Sequence, residues 1–205
     1  MFNAPPVTVA LCLILVAGYA FTTLIGWRES AAAFLVFDTV AFRGQFGPDS
    51  SVSPSVLVSL IGHAIVHSGF GHFATNTLFL LAFGSVVERA LGARILIAIF
   101  LVSAMAGALA LAIQVGGAPA RLVGASGGVH GVAGAAALTM IQLGRGATRR
   151  TGLGLLAFLV AFNLLLAFTG GAQALLGFQI GWQAHLGGLA VGLMIARWRL
   201  ALSTN

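Results

Sequence analysis

The sequence predicts an all-α polytopic membrane protein: a six-transmembrane-helix bundle with a long external loop between spans 1 and 2. Three observations carry this prediction. Of the 205 residues, 59% are apolar and 7% charged, and the mean hydropathy of +1.04 excludes a water-soluble domain. Six apolar stretches, at about 7–26, 73–91, 94–115, 126–143, 152–170 and 183–200, approach the ~20 residues that a helix needs to cross the hydrocarbon core. No stretch alternates apolar and polar residues as the strands of a membrane barrel would. With no flexible linker and no fixed-period repeat, residues 1–205 read as a single six-span domain.

The first stretch has no basic residue ahead of it, and its apolar run exceeds a signal-peptide core, so it reads as a retained span. It holds Cys12, the only cysteine, which excludes an intramolecular disulfide. The connection 27–71 has a polar, turn-rich middle, "RGQFGPDSSVSPS" (43–55), and an apolar part, "VLVSLIGHAIVH" (56–67). The latter is too short to span and is expected to lie in or dip into the interface. Span 2 opens on "HFATN" and ends on "GSVVERALG"; span 4 opens on "GASGGVHGVAG"; span 6 opens on "AHLGGLAVG". Span 5 contains Phe158, Phe162 and Asn163, which read as packing or lipid-facing residues. The 3/4 and 5/6 connections, "GGAPARLVG" and "GGAQALLGFQIG", are short and glycine-rich.

All ten basic residues are arginine, giving a net charge of +6. Arg89, Arg94, Arg145, Arg149, Arg150, Arg197 and Arg199 fall at the 2/3 junction, the 4/5 junction and the C-terminus; Arg28, Arg43 and Arg121 lie on the other side. The positive-inside rule then puts both termini in the cytoplasm. No aromatics interleave the arginines, so no nucleic acid partner is expected. This topology sets the N-terminal ends of spans 2, 4 and 6 in one external leaflet. His72, Ser126 and His185 would share a depth.

The acids are Glu29, Asp38, Asp49 and Glu88. None is placed to pair with another or to complete a triad at Ser126, and no HExxH is present. A serine nucleophile with a histidine base remains. Ser126 reads blandly as a small residue at a helix interface, but it also sits at a helix N-terminus, where free amides can hold an oxyanion. Around His185, Gly181, Gly188 and Gly192 lie at −4, +3 and +7, leaving its helical face nearly bare. With Gly127 and Gly131 on span 4, these glycines predict a close crossing that lets Ser126 meet His185.

His72 and Asn76, at i and i+4, are candidate oxyanion donors. His130, four after Ser126, competes with His185 as base and is expected to pack beside it. His63 and His67 lack a third ligand and read as a hydrogen-bonded anchor for the loop helix; no metal and no cofactor is expected. Glu88 reads as structural.

These residues resemble the rhomboid family of intramembrane serine proteases. "GASG" (124–127) is similar to its GxSG, "AHLGG" with Gly192 to its AHxxGxxxG, "HFATN" to its HxxxN, and "GSVVERALG" to its GxxxExxxG, in the family's order. The resemblance implies Ser126 as nucleophile, His185 as base, and His72 and Asn76 as oxyanion donors with the Ser126 amide. It also implies the 5/6 loop as a cap, span 5 as a lateral gate, transmembrane proteins as substrates, and residence in a bacterial inner membrane with the site facing the periplasm. Two positions depart from the pattern. The Trp-Arg pair many members carry in the first loop is absent, and His130 replaces an aromatic residue that stacks on the base. A non-catalytic rhomboid-like protein that binds membrane clients is the alternative, and it would lack the serine or the histidine. Composition says nothing about oligomeric state.

Overall fold

The computed structural model describes residues 4–25, 31–46, 53–169 and 181–202. Two short helices, introduced below, belong to the first loop, and the six predicted stretches form the long helices α1 (Pro6–Ile25), α4 (Phe70–Leu91), α5 (Ala93–Gln114), α6 (Ser126–Leu143), α7 (Ala147–Phe168) and α8 (Trp182–Leu202). They pack as one helical bundle of a polytopic membrane protein. Helices α1, α4, α5 and α7 are long and apolar enough to cross a membrane. The other two, of 18 and 21 residues, are diluted by glycine and by polar residues: Ser126, His130 and Gln142 in α6, and Gln183, His185, Arg197 and Arg199 in α8. Helix α6 touches α4, α5, α7 and α8, so its low hydropathy is sheltered by protein.

The fourth stretch keeps its expected bounds, and the boundary that moved most is the start of the fifth. The fifth stretch was expected to start at about 152, yet α7 starts at Ala147 and only Gly144–Gly146 separate it from α6. Gly146, at φ 54°, makes the turn; Thr148, Arg149 and Arg150 continue as helix because their side chains face solvent.

The end of the bundle opposite Ser126 is tied by Glu88. Its carboxylate accepts from the Val7 and Thr8 amides (3.0 and 2.6 Å) and from the Thr8 hydroxyl (2.7 Å). Helix α1 thus receives on its first turn a negative charge from the last turn of α4, which satisfies orphan amides and opposes the helix dipole. Beneath it, Leu80, Val87, Leu96, Ile99 and Val132 form the apolar core shared by α4, α5 and α6.

The first loop is built, not slack, where it is described. After a 3₁₀ turn at Ala31–Leu35, strand β1 (Phe37–Asp38) pairs antiparallel with β2 (Arg121–Leu122), which the sequence did not suggest. Asp38 then caps α2 (Thr39–Arg43), accepting from Val40 and Ala41 at 2.9 and 3.1 Å, and holds Arg121 at 3.1 Å. Burial alone would raise the Asp38 pKa, but these amides and the guanidinium prevail and hold it below the ordinary value. The apolar part forms α3 (Pro54–Gly62) and a 3₁₀ turn at His63–Ile65, with Leu57, Val58 and Ile61 exposed along it. Trp27, Arg28, Glu29, Asp49 and the expected cap at 170–180 lie outside the described residues.

Candidate active site

The segment leading to Ser126 is held from the first loop. Gly124 adopts φ 110°, which an L side chain rarely takes, and a Cβ there would strike the His72 imidazole. The Gly124 amide donates to the His63 carbonyl at 2.8 Å. The buried His63 ring lies between the carbonyls of Gly124 (Nδ1, 3.2 Å) and Ala104 (Nε2, 3.4 Å), and His67 Nε2 accepts from the Ala125 amide at 3.5 Å. Burial pushes both imidazoles down to about 4, so both act as neutral hydrogen-bonding groups. The pair, expected to anchor the loop helix, ties that loop to the segment leading into α6.

Helix α6 begins at Ser126, so the Ser126 and Gly127 amides have no acceptor within the helix. Helices α6 and α8 approach closely through their glycines. A Cβ on Gly188 would collide with the Gly127 carbonyl, and one on Gly192 with the Gly131 carbonyl and Cα. From α5, the Ser103 hydroxyl fills the space a Gly131 side chain would need, and Gly107 lies against the Ala184 carbonyl. Each glycine in α6 costs about 1 kcal/mol against alanine; backbone-to-backbone packing with small residues offsets that. Gly127 faces the Ala184 carbonyl, so the residue after Ser126 and the residue before His185 meet at the crossing.

His185 is 6% exposed, and its ring stacks on that of His130, centroids 4.0 Å apart and 8° from parallel. His130 Nδ1 donates to the Ser126 carbonyl at 2.8 Å, so the stacked ring is fastened to its own helix. On its other side, His185 Nδ1 meets Asn163 Oδ1 at 2.9 Å. Asn163 is fully buried and is the residue the sequence reading missed. The usable signal was a lone amide in an apolar span, which lipid does not satisfy, on a stripe with Gly152, Leu159 and Leu166. Among the described residues, no hydrogen bond joins Ser126 Oγ to His185.

His72, on the first turn of α4, bonds Ser68 Oγ through Nδ1 at 3.1 Å and turns its ring to Gly124. Asn76 is 4% exposed, and its amide nitrogen donates to the His72 carbonyl at 2.8 Å. The N-terminal ends of α4, α6 and α8 therefore meet at one end of the bundle, with a serine, three imidazoles and two carboxamides between them. An array of hydroxyl, imidazoles and hydrogen-bond donors, with no paired carboxylates, is the equipment of acyl transfer.

Fold and site together define a helical membrane protein whose polar cluster lies where glycine-packed helices cross. A family model described as the Rhomboid domain matches residues 54–201, and the chain belongs to the rhomboid family, which includes intramembrane serine proteases. No curated protein matched the chain.

Proposed function

We propose that the protein is a serine endopeptidase that cleaves peptide bonds in or near the transmembrane segments of other membrane proteins. The observation that carries this is the crossing of α6 and α8, where Gly188 lies on the Gly127 carbonyl and Gly127 faces the Ala184 carbonyl, next in the chain to Ser126 and His185. The Ser126 hydroxyl attacks the scissile carbonyl while neutral His185 takes its proton at Nε2. The tetrahedral oxyanion accepts hydrogen bonds from the Ser126 amide, His72 and Asn76. A Ser68 hydroxyl donating to His72 Nδ1 leaves an Nε2–H free for this task. The imidazolium then gives its proton to the departing amine, and water hydrolyses the acyl-enzyme by the reverse proton path. In the resting state the nucleophile–base bond is open, as catalytic hydrogen bonds often are before substrate closes the site.

The substrate helix must unwind locally, because helical peptide bonds are shielded by their own hydrogen bonds. Helix-destabilising small residues near the scissile bond would favour cleavage. The proposed topology has six spans in one domain of a bacterial inner membrane, with both termini cytoplasmic and the site facing the periplasm. Its support is the arginine distribution. Incubating the purified protein in liposomes with a panel of single-span proteins tests the activity. Cleavage that disappears in Ser126→Ala supports it. Intact substrates throughout, with clients still co-purifying, would instead assign the protein to non-catalytic client binding.

A further inference from the structure

His185 can serve as base only through Nε2, and only if its one proton resides on Nδ1. In an isolated neutral imidazole the proton exchanges between the two nitrogens, so a serine–histidine pair needs a third group to choose. Aspartate does this in soluble triads, and no acid lies near His185 among the described residues.

The third group present is Asn163. An amide can face a ring with its oxygen or its nitrogen, and the hydrogen-bond network decides which. Asn163 Nδ2 lies 2.8 Å from the Leu159 carbonyl, which can only accept. The nitrogen is therefore committed to Leu159, and the oxygen is the atom 2.9 Å from His185 Nδ1. An amide oxygen accepts and cannot donate, so Nδ1 must carry the hydrogen and Nε2 the lone pair. Burial removes the competing water: Asn163 is fully buried and His185 nearly so. The stacked neighbour of the ring, His130, lies face to face with it and offers no in-plane bond to either nitrogen.

Resting on the serine-protease reading above, we propose that Asn163 is a positioning residue that completes a Ser126–His185–Asn163 array. It fixes His185 as the Nδ1-protonated tautomer. When Ser126 gives its proton to Nε2, the Nδ1–H stays in place and its bond to the amide oxygen becomes charge-assisted, which stabilises the imidazolium. No proton passes to Asn163. The residue belongs to α7, so the orientation of the base depends on a third helix docked against α6 and α8. That helix presents Phe158, Phe162 and Leu165 outward, and its displacement would release the ring.

The test uses the full chain in detergent micelles with ¹⁵N-labelled histidine. The His185 signals are identified by their loss in His185→Gln. In the wild type they are expected to report a protonated Nδ1 and a bare Nε2, and in Asn163→Leu a mixture of tautomers. Substrate turnover and the rate of fluorophosphonate labelling should both fall about 10- to 100-fold in Asn163→Leu, with KM little changed. Asn163→Asp, nearly isosteric and still an acceptor, should restore most of the rate and a single tautomer. Thermal midpoints establish that each variant is folded; if Asn163→Leu does not fold, the wild-type and Asp spectra still decide. A protonated Nε2 in the wild type, or full labelling by a folded Asn163→Leu, overturns the proposal. A correct tautomer in a wild-type protein that neither labels nor cleaves would leave the positioning of the ring intact and defeat the protease reading instead.

Discussion

Two glycine pairs in this chain look alike in sequence and behave differently. Gly84 and Gly92 flank Glu88 on α4; Gly188 and Gly192 follow His185 on α8. At the first pair, a Cβ on Gly84 would come 3.0 Å from the Thr8 methyl, a contact that one side chain could relieve. Gly92 has open space around it and is needed for its φ of 97°, which turns α4 into α5. At the second pair the obstacle is the backbone of α6, which cannot move aside. One region uses glycine for a turn and a joint, the other for a backbone contact that sets two helices in register. The serine and the stacked imidazoles gather where the helices have no slack, and the carboxylate gathers where they do.

The comparison breaks most visibly at Gly188. Gly188→Ala should push α8 from α6 and remove detectable proteolysis, since a misplacement of about 1 Å alone can cost 10²-fold. A fully active alanine variant would show that the backbone contact is dispensable. Next in size, His72→Ala and Asn76→Ala should each lower kcat by about 10²–10³-fold with KM little changed, because oxyanion donors act mainly in the transition state. A defect confined to KM in both would remove them from the oxyanion site.

Acid should act on the loop that holds the approach to Ser126. His63 and His67 sit at about 4 when folded, against an ordinary 6.5. Both forms are neutral above 6.5; as pH falls from there, the unfolded chain takes up protons that the folded one refuses. Stability should therefore drop between pH 6.5 and about 4, and His63→Gln should flatten that slope in thermal melts. An unchanged slope would place the acid sensitivity elsewhere.

The smallest effects belong to the Glu88 end. Glu88→Gln should cost about 1 kcal/mol as a weakened helix cap, a few degrees in thermal midpoint for a chain of this length. Gly92→Ala should cost about 1–3 kcal/mol from its backbone conformation. Labelling of Ser126 in the folded fraction should match wild type in both. Loss of labelling there would erase the division between the two ends.

Much of this was legible because periodic signals survive in a single sequence. Apolar runs marked the helices, and the spacing of Gly181, Gly188 and Gly192 around His185 announced a bare face; the backbone of α6 fills it at Gly188 and Gly192, while Gly181 lies against Leu122 instead. Glu88 was rightly read as structural, although its partners on α1 could not be named. Two things were hidden. The β1–β2 pair rests on two residues per strand, too few to show a period, and joins segments more than 80 positions apart. Asn163 carries no motif, and its meaning appears only when α7 lies against α8. His130 shows the intermediate case: its helical spacing from Ser126 left it as base or as packing, and the stack on His185 with Nδ1 bound to the Ser126 carbonyl speaks for packing.

The most direct measurement of the serine–histidine claim is covalent labelling of the purified protein by a fluorophosphonate, read by mass spectrometry in the wild type and in Ser126→Ala, His185→Ala and His130→Phe, each verified as folded by its thermal midpoint. The account predicts a single adduct on Ser126 in the wild type, measurable labelling in His130→Phe, and none in Ser126→Ala or His185→Ala. Labelling that survives in His185→Ala and vanishes in His130→Phe would contradict it.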